Sequence, residues 1–95
     1  MIIGNVVGNV WATRKDEKLN SFKLLVVQPI KYTEGKDADV FVAVDSVGAG
    51  IGETVLVVNG SAARVSFSTD SKSVPVDATI VGIIDTVDID KSLLE

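Results

Sequence analysis

The sequence predicts an all-β fold: five strands closed into a small antiparallel barrel, with one short helix between strands four and five. Three observations carry this prediction. The 95 residues are 46% hydrophobic but only 5% aromatic, and much of the apolar content is valine and isoleucine, which suit pleated strands. The apolar residues alternate with period two or run in short bursts of strand length. Gly, Pro, Asn and Asp signals stand between the bursts, so the chain reads as strand, turn, strand throughout. Closure then removes the sheet edges that would invite aggregation.

The first strand is read over Met1–Thr13, with Ile2, Gly4, Val6, Gly8, Val10 and Ala12 on a core-facing even side. Gly4 and Gly8 fall on that side, where glycine marks close backbone approach or a sharp bend. Arg14-Lys15-Asp16-Glu17-Lys18 is a charged connection. Phe22–Gln28 is the second strand, closed by Pro29. Glu34-Gly35-Lys36-Asp37 lies in a polar loop. Val40–Val44 is the third strand, placing Val40, Val42 and Val44 on one face and Phe41 and Ala43 on the other. Thr54–Val58 is the fourth. Asn59-Gly60 signals a turn, and Ser61 is positioned to cap about one helical turn reaching Arg64. Ser66–Ser73 is polar. Thr79–Ile84 is the fifth strand, within the apolar Val76–Val87 segment. The chain forms a single domain, with a barrel over residues 1–87 and an acidic tail over 88–95 in which Asp90 can start a short helix.

Composition narrows the function. With no cysteine and no histidine, disulfides, thiolate metal sites, cysteine nucleophiles and histidine bases are excluded. A net charge of −4 argues against a nucleic-acid partner, which is held largely by Lys and Arg on phosphates. No apolar run approaches the roughly 20 residues that cross a bilayer as a helix. The start of the chain lacks the pattern of a secretory signal, so the expected location is cytoplasmic. No cofactor is expected. A small apolar domain with few large aromatics gains stability by burying surface against copies of itself.

Asp45-Ser46-Val47-Gly48-Ala49-Gly50-Ile51-Gly52-Glu53-Thr54 resembles a phosphate-binding loop at first sight. Such loops run into a helix whose free N–H groups hold the phosphate. Here the glycines lead into a β-branched strand, and no Lys-Ser/Thr pair directly follows them. The glycines therefore serve either a close-packed contact or turns that need positive φ. Asp45, Asp77 and Asp85 stand at strand ends, where aspartates more often accept bonds from loop N–H groups than act as acid–base pairs. Trp11 reads as a core or interface anchor.

Four ordered blocks resemble one family. They are Gly4 through Lys15, Lys23 through Pro29, Val44 through Arg64, and Val76 through Asp85. The resemblance is to the pentameric vertex proteins of bacterial microcompartment shells, the family of the ethanolamine-utilisation and carboxysome vertex proteins. It implies an OB-like barrel, no catalytic activity, and a homopentamer that caps shell corners beside hexameric shell proteins. It makes Gly48, Ala49, Gly50, Ile51, Gly52, Glu53 and Arg64 candidates for a subunit contact or the fivefold axis. Glu53 either pairs across the subunit boundary with Arg64 or Arg14, or ends a solvated loop. Thr13, Arg14 and Lys15 either touch the neighbouring hexamers or form a solvated turn. The rival reading is an OB-type module binding a small ligand or nucleic acid. Its shortage of stacking aromatics counts against it.

Overall fold

Each of the five β-branched runs folds as a strand. A computed structural model of the chain describes residues 1–11, 22–32, 39–60 and 77–94. Among these residues lie β1 (Ile2–Val10), β2 (Lys23–Pro29), β3 (Phe41–Asp45), β4 (Thr54–Asn59) and β5 (Ala78–Ile83). They close into a barrel in the order β1-β2-β3-β5-β4. The predicted helical turn at Ser61–Arg64, the charged connection after Trp11 and the Glu34–Asp37 and Ser66–Ser73 loops lie outside the described residues.

The barrel is not wholly antiparallel. β3 and β5 pair in parallel, with Val44 opposite Thr79 and Asp45 opposite Ile80; the other four pairings are antiparallel. The cause is connectivity. The chain leaves β3, crosses the barrel end and descends as β4, beyond the place that β5 later fills. On returning, β5 runs in the direction of β3 and sits between the two. The glycine loop is thus a crossover between non-adjacent strands, not a hairpin turn.

Alternation sets the core. Leu25 and Val27 of β2, Ala43 of β3, Val55 and Val57 of β4, and Ile80 of β5 are buried, with Phe41 and Ile2 packed against them. Val40 and Val42 are about half exposed, as the two faces predicted for the third strand require. Val44, expected beside them, is instead buried at the point where β3 pairs with β5. On β1 the predicted even side holds for Ile2, Gly4 and Val6. It fails beyond them, because pairing shifts from Val6–Val27 to Gly8–Val26 and leaves Val7 as an extra, exposed residue. Such a bulge reverses the facing of the residues beyond it. Gly8 accordingly shares the face of Val26, and a Cβ placed there would touch that side chain at 3.7 Å. β1 also ends at Val10, and Trp11 lies past it; the rest of the predicted strand, Ala12 and Thr13, lies outside the described residues.

After β5, Ile84 donates one more backbone bond, to Thr54, at 2.8 Å. The tail then runs to a single 3-10 turn at Lys91–Leu93, capped by Asp90 where a short helix is expected. Ser92 donates its hydroxyl and its backbone N–H to Asp90 Oδ1, at 2.6 and 3.0 Å. These bonds hold the Asp90 carboxyl below its ordinary range. The cap is therefore complete at neutral pH and is lost only as pH falls through that lowered value.

Candidate functional site

The crossover between β3 and β4 is built as a fixed bracket. Asp45, the last residue of β3, accepts the N–H groups of Val47 and Gly48 at 3.1 Å each. Its side chain is only 3% exposed, and its second oxygen lies 3.3 Å from Lys23 Nζ. Lys23 opens β2 directly opposite Asp45 in the β2–β3 register. The same ammonium donates to the carbonyl of Ala49 at 2.6 Å. Ser46 ties the loop to β5, donating its hydroxyl to the Ile80 carbonyl at 2.7 Å. Ala49 is fully buried and joins the core cluster as a plug at this barrel end.

The far side of the loop is fastened to β1. Gly52 N–H donates to Val6 O and Val6 N–H to Glu53 O, both at 2.9 Å. Gly50 N–H donates to Glu53 Oε1 at 2.8 Å, and Glu53 N–H returns to Gly50 O at 3.2 Å. Beyond it, Thr54 donates its hydroxyl to Asn5 Oδ1 at 2.9 Å, across a facing strand pair. The N–H groups of Val47, Gly48, Gly50 and Gly52 are all committed to the chain itself. That is the physical reason the loop is no phosphate cradle, where such groups must point at a ligand.

The three loop glycines differ. Gly48 and Gly52 have φ of +82° and +94°, with open space where a Cβ would stand. Backbone conformation alone explains them. Gly50 has no positive φ, and a Cβ there would meet only Glu53 Oε1 at an ordinary 3.6 Å. Nothing within the described residues of one chain requires glycine at this position.

The structure brings Gly48 through Glu53 together in one bracket. Arg64, Thr13, Arg14 and Lys15 lie outside the described residues. Glu53 uses one carboxylate oxygen within its own loop. Asp45 behaves as a strand-end aspartate that organises a turn, and among the described residues no acidic group is assembled to hold a metal. Trp11 is no monomer core residue: it stands just past β1 and is 90% exposed. Sequence reasoning passed over Lys23. The signal is an opposite-charge pair at facing ends of two neighbouring strands, which appears only when the register is known. Replacing Asp45 with alanine removes the acceptor of two loop N–H groups and the carboxylate partner of Lys23, which keeps its bond to Ala49, and is expected to cost about 1 kcal/mol. Denaturant unfolding checks it, with an unchanged midpoint as the contrary result.

The family whose sequence model is described as "Ethanolamine utilisation protein EutN/carboxysome" matches residues 1–85. The bacterial microcompartment shell vertex protein GrpN of Rhodospirillum rubrum is 46% identical over 88 residues, covering 93% of this chain and 97% of that protein. The carboxysome shell vertex protein CcmL of Thermosynechococcus vestitus is 45% identical over 98 residues, covering 99% of this chain and 93% of that one. Among solved structures, the GrpN pentameric microcompartment shell protein from Rhodospirillum rubrum aligns with a TM-score of 0.78 at 42% identity. That alignment covers 95% of this chain and 99% of the other. With an OB-like barrel, a bracketed β3–β4 crossover and agreement along nearly its whole length, the chain belongs to the EutN/carboxysome family of shell vertex proteins.

Proposed function

We propose that this chain is a structural shell protein whose homopentamer caps the vertices of a polyhedral bacterial microcompartment within the cytoplasm. The observation that carries the reading is the near full-length likeness, in sequence and in fold, to a pentameric shell protein. The geometry fits the role. Hexagonal tiles cannot enclose a volume without pentagons, and head-to-tail contacts form a ring when their rotation closes. Its work is assembly, and it catalyses no reaction. The fixed Gly48–Glu53 bracket is read as the element packed against a neighbouring copy, with Arg64 on the same contact. Hexameric shell proteins are the outer partners, met through Thr13, Arg14 and Lys15. The ligand-binding alternative is disfavoured by the net charge of −4 and by the few aromatic residues.

The test is shell closure. Hexameric shell proteins co-produced with this chain are expected to give closed polyhedra, and without it open or elongated assemblies. Arg14→Glu with Lys15→Glu is expected to leave the pentamer intact and reduce closed shells about tenfold or more, because the reversal takes both cations out of the proposed contact and puts carboxylates in their place. Electron microscopy counts the closed shells. Closure unaffected by the double reversal contradicts the hexamer contact.

A further inference from the structure

Among the described residues, two exposed apolar surfaces stand at one end of the barrel, on different flanks. The first is a groove of about 400 Å³ beside β1 and β2, lined mainly by Val10, Trp11, Leu24 and Ile51, with Asn9 and Lys23 as its polar members. Trp11 and Ile51, on its rim, are 90% and 61% exposed. The second is the tail that leaves β5 beside β4. Val87 and Ile89 alternate there with Asp88 and Asp90, the pattern of an extended segment that lays one face on a surface. Leu93 and Leu94 come in and after the capped turn. Leu93 is 80% exposed, and Val87 and Leu94 are more than a third exposed. Among the described residues, no backbone bond joins the tail to the barrel beyond Ile84.

We propose that the C-terminal arm, residues 86–94, of one copy covers the Trp11–Ile51 groove of the next copy around the ring. The inference rests on the pentameric reading above, which places a second copy against each barrel. A head-to-tail ring needs two different, complementary surfaces on each chain, and the groove and the arm are such a pair. Among the described residues both expose apolar side chains, and a small barrel gains by covering them. The bond pattern around Asp90 folds the arm's end into a compact turn before any partner is met. The family match ends at residue 85, so the arm lies outside the part that the family model describes.

The chain has no cysteine, so introduced thiols report without background. Ile51→Cys and Leu93→Cys are placed in one chain and treated with a short bismaleimide. The expected result is a ladder of linked chains ending at five on a denaturing gel, with neither single variant giving a ladder. Linkage within single chains only, or no linkage, overturns the proposal. A chain ending at Asp85, checked for folding by circular dichroism, is expected to dissociate at concentrations about tenfold or more above those of the full chain. A truncated ring with unchanged dissociation also overturns it. A full-length chain that is itself monomeric would instead remove the pentameric reading, so the two failures are separable.

Discussion

Replacing Gly4 with alanine is expected to destabilise the barrel by about 3 kcal/mol, the upper part of the usual range for overpacking a core. A Cβ at this position would stand 2.5 Å from Val27 Cγ1 and 2.9 Å from the carbonyl oxygen of Gln28. Neither neighbour can yield cheaply. Val27 is a fully buried β-branched side chain, and the carbonyl belongs to β2, whose register with β1 is fixed at Gly4–Pro29 and Val6–Val27. For a domain of this size, 3 kcal/mol corresponds to a fall of roughly 12–24 °C in Tm. Gly82→Ala is the control, since its Cβ would meet Leu56 Cβ at an ordinary 3.8 Å. Thermal unfolding at one fixed protein concentration compares them, because ring formation makes Tm concentration-dependent. Equal shifts for the two variants would contradict the assignment of Gly4 as a point of close strand approach.

The second large effect concerns assembly. Gly50→Val is expected to leave the barrel folded and to abolish the ring. Within the chain a Cβ at this position meets only Glu53 Oε1, at 3.6 Å, and φ is not positive. A neighbouring backbone packed on the loop tip would instead collide with two extra methyl groups. Circular dichroism and native mass are read together. A folded, monomeric variant supports the contact, and a folded pentamer removes Gly50 from it. Gly48→Ala is expected to behave differently, because the penalty arises from φ at +82° and appears in stability before assembly.

The strands were legible because burial follows the period of the sequence. Leu25 and Val27, Phe41 and Ala43, and Val55 and Val57 each face inward in pairs two residues apart. The bulge at Val7 was not legible, since its cause is the partner strand and not the β1 sequence. Nor was the parallel β3–β5 pairing, because local patterns say that segments are strands but not which edges meet. Position along the chain suggested a simple antiparallel order, and the crossover through Gly48–Glu53 breaks it. The same long-range dependence hid the Lys23–Asp45–Ala49 clasp, whose members are brought together only by register. Trp11 shows the reverse error. A large aromatic at the end of an alternating run suggested a strand residue, yet the chain leaves the sheet at Val10 and exposes the ring.

Everything proposed for this small barrel depends on its forming a fivefold ring. Native mass spectrometry of the unmodified chain at micromolar concentration decides whether it does. A dominant species of about 50 kDa, five copies of the 10.0 kDa chain, is expected. A stable monomer under the same conditions would contradict the ring and the vertex role with it.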